Sequence, residues 1–171
     1  DKKGIGFLAD VCDEWEKAAN KFEALNARVV KIRTGVVLSQ EGGALPKIIL
    51  SLKGNIGTVL GSGNQYYSWI HIDDIANVFV EAILNPKMEG IYNGVSPQPV
   101  IFSAIIDSAA KAMQKKHLNI KVPAIALKLA MGEQSAIVLD SCNASAQKVI
   151  DTGFQFQFQN IDEAMRDLVG E

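Results

Sequence analysis

The sequence predicts an α/β fold with a parallel sheet, and three segments carry this prediction. Apolar residues recur at three- and four-residue steps over residues 6–28, opposite charged ones, which indicates an amphipathic helix. Residues 29–39 are β-branched and nearly uncharged, as in a strand covered on both faces of a parallel sheet. Residues 66–72 give further extended structure, and Asp73 is expected to cap a helix that runs to Leu84. A helix followed by a buried strand is half of a βαβ unit, which favours this fold class.

The remaining elements are predicted from turn and cap signals along the chain. Alternation over residues 154–158 predicts an edge strand with one aromatic and one amide face, and Gly153 is expected to end the helix before it. Ser103 is expected to cap a helix that runs to about residue 116. The other predicted elements are helices at 44–53, 124–131, 135–139, 145–151 and 161–169, and short extended pieces at 58–60 and 91–94.

Composition narrows the class of protein. The chain has 171 residues, of which 48% are hydrophobic and 21% charged, which predicts a single globular domain with a real core. The formal net charge is −2 and no Lys/Arg run is dense, so we expect no nucleic-acid binding. No apolar run reaches the roughly 18 residues that span a bilayer, and residues 1–4 lack the apolar core of a signal peptide. With Cys12 and Cys142 expected as reduced, buried thiols, these features predict no membrane association and a cytoplasmic protein.

His71, Asp73 and Asp74 form the most tempting catalytic group. A histidine oriented by acids resembles a general base, but no nucleophile lies near it in sequence. Helix-capping explains the two acids, and adjacent Asp side chains diverge on a helix, which disfavours a shared metal ion. We therefore predict a structural histidine, no catalytic residue and no metal ligand in this chain.

Five segments, in this order, carry a resemblance to a known family. They are Phe7-Leu8-Ala9-Asp10-Val11-Cys12-Asp13-Glu14-Trp15-Glu16, Arg33-Thr34-Gly35-Val36-Val37-Leu38, Gly61-Ser62-Gly63-Asn64-Gln65, Trp69-Ile70-His71-Ile72-Asp73-Asp74 and Leu129-Ala130-Met131-Gly132-Glu133. The chain resembles the C-terminal portion of an extended or atypical short-chain dehydrogenase/reductase, in the NAD(P)-dependent epimerase/dehydratase family and its nucleoside-diphosphate-sugar epimerase group. The resemblance implies isomerase or oxidoreductase chemistry.

The resemblance also implies how the fold is organised. Residues 1–171 are expected to form one α/β unit, the C-terminal part of a Rossmann-like, doubly wound fold. Residues 1–100 would supply the last part of the sheet with its helices, and residues 101–171 a small, mainly helical lobe on the substrate side. The family's Gly-rich dinucleotide turn and catalytic Tyr and Lys are not found in the sequence. The Gly-rich segment 54–63 does not follow a buried strand and open a helix.

Thr34, Gly35 and Val36 are the candidate cofactor-binding residues. Ligands of a doubly wound sheet lie at the carboxyl ends of its strands, and this turn follows a predicted strand. By resemblance it approaches the nicotinamide, with Gly35 allowing close backbone approach. A glycine-relieved bend inside a strand is the alternative interpretation, and both stay open.

Gln65, Tyr66, Tyr67 and Trp69 are the candidate substrate-binding residues. By resemblance their segment commonly carries an Arg that grips a diphosphate, and no Arg is present here. A sugar nucleotide is therefore disfavoured, and the aromatic residues would offer a wall for an apolar or planar ligand. The alternative for Trp69 is that it fills the core.

These observations predict a function for the parent protein. The chain would be the substrate-side portion of an NAD(P)-dependent epimerase or oxidoreductase that acts on a carbonyl or secondary alcohol of a small molecule. NAD or NADP would bind the parent and not bind tightly to this chain alone, which we expect to be inactive by itself. The alternative is a non-enzymatic protein-interaction module. In either case a missing N-terminal dinucleotide-binding half, or a protein partner, would cover the helix bearing Trp15 and Phe22.

Overall fold

The computed structural model describes Gly4 and residues 6–170. The strands are β1 (Val30–Thr34), β2 (Val36–Leu38), β3 (Ile56–Leu60), β4 (Tyr66–Tyr67), β5 (Trp69–His71), β6 (Gly90–Gly94), β7 (Val100–Ile101) and β8 (Leu118–Val122). The helices are α1 (Phe7–Asn20), α2 (Leu45–Lys53), α3 (Ile72–Leu84), α4 (Phe102–Ala112), α5 (Ala124–Met131), α6 (Ala136–Leu139), α7 (Gln147–Ile150) and α8 (Ile161–Val169). Short 3₁₀ turns follow α1 at Lys21–Leu25 and α5 at Gly132–Ser135.

Parallel pairing dominates the strands, as the sequence predicts. β1 pairs with β6, β2 with β5 and β3 with β8, all in parallel, whereas β4 and β7 are antiparallel. Helices connect the strands, so the described chain is a mixed α/β structure. The fold class is confirmed at this level, while the division at residue 100 and the substrate-side lobe stay predictions.

Gly35 divides what the sequence predicts as one strand over residues 29–39. The Gly35 amide donates to the Gly94 carbonyl at 3.0 Å, and the next amide, of Val36, donates to the Ser68 carbonyl at 2.8 Å. The chain thus changes partner from β6 to β5 at this residue. A Cβ on Gly35 would overlap the Ser68 carbonyl oxygen and lie 2.9 Å from Val95 Cγ1. This observation favours the strand-bend interpretation, because the close approach is to the chain's own backbone.

Two hydrophobic clusters form the core. One surrounds Trp69 and Leu38 and includes the inner faces of α2, α4 and α8. The other lies beneath α3 and contains Ile70 and Met88. Trp69 is 0% exposed and its indole N–H donates to the Gln98 carbonyl at 2.9 Å, so its one polar atom is satisfied.

The helix caps differ from the sequence prediction at two positions. His71, and not Asp73, is the N-cap of α3, since its Nδ1 accepts from the Asp73 amide at 3.1 Å. At α4 the cap residue is Ile101 and makes no side-chain hydrogen bond, so the predicted Ser103 cap is wrong. The Ser103 amide instead donates to the Gly63 carbonyl at 3.0 Å.

Residues 154–158 do not form the predicted edge strand. Their alternation is real, since Phe156 is buried while Gln155 and Gln157 are exposed. The amides of Gln157 and Phe158 donate to the Asp74 carboxylate, at 2.8 Å to Oδ1 and 3.0 Å to Oδ2. The Asp74 carboxylate therefore accepts hydrogen bonds from this extended segment that a neighbouring strand would otherwise accept.

Three remaining expectations concern the cysteines, the membrane and the chain start. Cys12 and Cys142 are free thiols, but both are exposed, so the prediction of buried thiols is wrong. Over the described residues, no helix combines the length and apolarity needed to cross a bilayer. The expectation about a signal peptide concerns residues 1–4, of which 1–3 lie outside the described part of the chain.

Candidate functional site

A cleft of about 580 Å³ lies where β1 and β6 end. Thr34 is the last residue of β1, and Asn93 and Val95 lie at and just past the end of β6. The facing wall comes from residues 66–68 and from the stretch between α6 and α7. Its lining residues are Arg33, Thr34, Gly35, Val36, Tyr66, Tyr67, Ser68, Asn93, Val95, Ile137, Asp140, Cys142 and Ala144. The carboxyl ends of two parallel strands therefore open onto one concave surface.

Five of the seven residues predicted for the site line this cleft. They are Thr34, Gly35, Val36, Tyr66 and Tyr67. Gln65 and Trp69 do not line it and are buried, at 7% and 0% exposure. For Trp69 the core-filling alternative is therefore the one that the structure favours, and ligand binding by all seven stays a prediction.

Gln65 and Tyr67 hold the facing wall in place. Gln65 Nε2 donates to the carbonyls of Leu60 at 2.9 Å and Val138 at 3.0 Å. The Tyr67 hydroxyl donates to the same Val138 carbonyl at 2.9 Å. These side chains position the end of α6. Gln65 is buried, so it could affect a ligand only by holding this backbone in place.

Ser68 adds to this brace, the set of hydrogen bonds that join residues 65–68 to the facing wall. Its hydroxyl donates to the Cys142 carbonyl at 3.0 Å and accepts from the Ala144 amide at 2.8 Å. The Cys142 amide donates to the Tyr66 carbonyl at 2.8 Å, and the Tyr66 amide donates to the Ser141 hydroxyl at 3.0 Å. Sequence reasoning missed Ser68 and the 138–144 wall, because bonds between segments some 70 residues apart leave no local pattern.

Burial determines the state of the Tyr67 hydroxyl. Removal from water raises the pKa of Tyr67 to about 12, because the phenolate would lose its hydration. The group is therefore protonated at neutral pH and donates inward to the Val138 carbonyl. Tyr67 contributes a ring to the cleft and no proton-transfer group.

Arg33 lies at the cleft but its charge is already paired. The guanidinium donates to both oxygens of Glu16 on α1, through Nε at 2.6 Å and through a terminal nitrogen at 2.9 Å. This hydrogen-bonded pair lowers the pKa of Glu16 and raises that of Arg33. This geometry makes Arg33 an ion-pair partner near the end of β1.

His71 lies away from the cleft lining and joins α3 to α8. It is 1% exposed, its Nε2 lies 3.1 Å from Asp167 Oδ2, and its ring stacks on Phe158 at 3.9 Å. Because Nδ1 accepts from a backbone amide, Nε2 carries the proton and donates to Asp167.

His71, Asp73 and Asp167 also bring ligand-type atoms within 4.8 Å of one another. Both nitrogens of His71 are engaged inside the fold, on opposite sides of the ring. A metal ion would have to displace one of these bonds, so the geometry favours a structural histidine.

The fold is a mixed α/β structure with parallel strands, and it is similar to Rossmann-like epimerase structures. The solved structure of human epimerase family protein SDR39U1 (isoform 2) with NADPH superposes with a TM-score of 0.85 and 25% sequence identity. The superposition covers 98% of this chain and 56% of the human protein's chain. The nucleoside-diphosphate sugar epimerase from Corynebacterium glutamicum superposes with a TM-score of 0.74 and 27% identity, over 99% of this chain and 32% of that one.

The sequence relatives are also described as epimerase family proteins. The epimerase family protein SAR0825 of Staphylococcus aureus (strain MRSA252) is 39% identical over 165 residues, which are 96% of this chain and 55% of the relative. A family model described as a domain of unknown function (DUF1731) matches residues 122–168. The similarity runs along nearly the whole chain, and the expectation that the chain matches the C-terminal portion of such a protein stays a prediction. The chain spans about half the length of the relative.

Proposed function

We propose that this chain forms the substrate-side part of an NAD(P)-dependent epimerase or oxidoreductase that acts on a carbonyl or a secondary alcohol. The observation that carries the proposal is the cleft at the ends of β1 and β6. Ligands of open α/β sheets lie outside the carboxyl ends of their strands, which is where Thr34, Gly35 and Val36 lie. A structural neighbour that was solved with NADPH supports a nicotinamide cofactor for the whole protein.

The described residues fit one part of such a cofactor. Thr34 and Val36 have small side chains at the cleft, so a flat ring can lie against this strand end. A diphosphate needs cations or a row of free amides, and Arg33 at this cleft is committed to Glu16. The nicotinamide part of the cofactor therefore fits this cleft. The diphosphate would be held by residues of the whole protein other than the described ones.

The chemistry divides between cofactor and protein. When bound, the nicotinamide gives a hydride to a carbonyl carbon, or accepts one from a secondary alcohol, while a separate acid or base serves the oxygen. This chain positions the substrate between the strand end and the 138–144 wall. Of the cleft tyrosines, Tyr67 is engaged inward, and no Lys lies four residues after Tyr66 or Tyr67. We therefore propose that this chain alone does not catalyse the reaction.

Cofactor binding tests the proposal. NADH and NADPH fluorescence and calorimetry would be recorded with this chain and with a version extended upstream by a dinucleotide-binding region. We expect binding by the extended form only. Tight binding by the short chain, or no binding by either form, would contradict the proposed division of roles.

A second candidate, a protein-interaction module, is favoured by exposed apolar side chains on α1 and the 3₁₀ turn after it. Trp15 is 72% exposed, Phe22 58% and Leu25 74%. Apolar surface of this kind needs a cover. In the first candidate the rest of the same protein buries these side chains, since the chain spans 55% of its relative. In the second candidate another protein buries them.

Tryptophan quenching separates the two candidates. The chain has two tryptophans, of which Trp15 is exposed and Trp69 is fully buried. Acrylamide should quench Trp15 in this chain and spare Trp69, which serves as an internal control. If the rest of the same protein covers α1, the extended form should protect Trp15. Continued quenching of Trp15 in that form would favour the interaction module.

A further inference from the structure

We infer that the cleft selects uncharged or cationic aromatic carbonyl compounds and disfavours anionic sugar nucleotides. This inference rests on the proposed function, since it names the substrate class of the same cleft. It depends on which lining groups are free to meet a ligand and which are already engaged by the fold.

Among the described residues that line the cleft, Arg33 is the one cation, and Glu16 neutralises its charge. Two hydrogen bonds, of 2.6 and 2.9 Å, join Arg33 to Glu16, so each charge lies beside an opposite one. A phosphate that met the remaining N–H groups of Arg33 would lie next to the Glu16 carboxylate, which stays bonded to the guanidinium. The pair therefore offers an anionic ligand no net positive charge, and Glu16 repels it.

Asp140 leaves a net negative charge at the cleft. It directly follows α6 and is exposed, and among the described residues its carboxylate has no hydrogen-bond or ion-pair partner. The wall around it is fixed by the bonds from Tyr67 to Val138 and from Ser68 to Cys142. Asp140 thus belongs to the cleft lining, where its carboxylate attracts a cation and repels a diphosphate.

Several polar lining groups are engaged within the fold, which leaves mainly rings and aliphatic groups for the ligand. Tyr67 and Ser68 bond to the facing wall, and the Asn93 amide nitrogen donates to the Ser145 carbonyl at 3.0 Å. Tyr66 is 43% exposed and Ile137 59% exposed. The hydroxyls of Thr34 and Tyr66 remain for a polar ligand, while the exposed ring and aliphatic side chains give an aromatic ring contact area.

Three ring-matched aldehydes test the inference directly. The probes are 4-(trimethylammonio)benzaldehyde, 4-methylbenzaldehyde and 4-carboxybenzaldehyde, with UDP-glucose as the sugar nucleotide. Amide shifts of Tyr66 and Ala144 in NMR titrations of the chain would locate binding at the cleft. We expect the cation to bind about fivefold tighter than the neutral aldehyde, the size of one screened charge pair, and the two anions to bind least.

Two variants test whether Asp140 sets this order of binding affinities. Asp140→Asn should remove the advantage of the cationic aldehyde, while the matched control Glu163→Gln, an exposed acid on α8, should leave the order unchanged. Binding of 4-carboxybenzaldehyde or UDP-glucose at the cleft as tight as that of the neutral aldehyde would overturn the inference. So would the absence of any shift at Tyr66 and Ala144. No nicotinamide is present in these titrations, so a failure of cofactor binding in the separate experiment would not alter their outcome.

Discussion

Asp74 shows how one buried charge fixes the C-terminal region. It is 0% exposed and accepts hydrogen bonds from the amides of Gln157 and Phe158. Its position in the first turn of α3 also lets the helix N-terminus stabilise the negative charge. Asp74 therefore serves as an anchor between α3 and the segment that leads into α8, and the helix cap belongs to His71.

Replacing Asp74 should therefore destabilise the fold. Asp74→Ala leaves two amides without acceptors, which costs about 2–4 kcal/mol of unfolding free energy. The matched control is Asp73→Ala, whose side chain is 62% exposed and should cost less than about 1 kcal/mol. Urea denaturation of both variants measures the difference, and equal losses would contradict the anchor role.

Tyr67 predicts a specific alkaline response. Its pKa is raised by burial from 10.0 to about 12, so the folded state keeps the proton that the unfolded state loses. The stabilisation from this group is complete below pH 10 and is lost as the pH rises toward 12. Tyr67→Phe should cost about 1 kcal/mol at neutral pH and make stability less dependent on pH in this range. Urea midpoints at several pH values test this, and an unchanged alkaline slope would count against it.

At the scale of elements, the strand junction at Gly35 sets the geometry of the cleft. β1 ends at Thr34 and β2 begins at Val36, each with its own partner strand. The Ser68 carbonyl occupies the space that a side chain at residue 35 would need. The junction therefore brings the end of β1 against the segment that braces the opposite wall.

A methyl group at this junction should be poorly tolerated. Gly35→Ala forces the backbone away from Ser68 and should lower the unfolding free energy by about 1–3 kcal/mol. Gly42→Ala is the matched control, because a Cβ there meets nothing within 4 Å. Thermal unfolding compares them. A Gly35→Ala protein as stable as the control would show that residue 35 is free to move.

The elements also show why part of the structure could be predicted from sequence. Helical periodicity and β-branched runs are local signals, so α1, α2, α3 and the parallel strands other than β8 were predictable to within a few residues, whereas β8 was not predicted. The alternation at 154–158 correctly predicts which side chains face inward, but an extended segment becomes a strand only beside a free strand edge. The hydrogen bonds from this segment to Asp74 span more than 80 residues, and no local pattern encodes them.

At the scale of the whole molecule, one wall of the cleft was predictable and the other was not. Thr34, Gly35 and Val36 follow from the rule that ligands lie at strand ends, and the structure brings them together with Tyr66. Asp140 and Cys142 belong to a stretch without periodicity and reach the cleft only through the brace from Tyr67 and Ser68. That brace is a tertiary contact, so only the folded chain reveals it.

The most direct test is whether the nicotinamide ring lies against this strand end. Nuclear Overhauser contacts from the nicotinamide H4 of NADPH to methyl groups would be recorded in the extended form of the chain. Contacts with the methyl groups of Thr34 and Val36 are expected, with none to Val80, a half-exposed valine on α3 that serves as the control. NADPH that binds without any contact to Thr34 or Val36 would contradict the central claim that this cleft faces the nicotinamide.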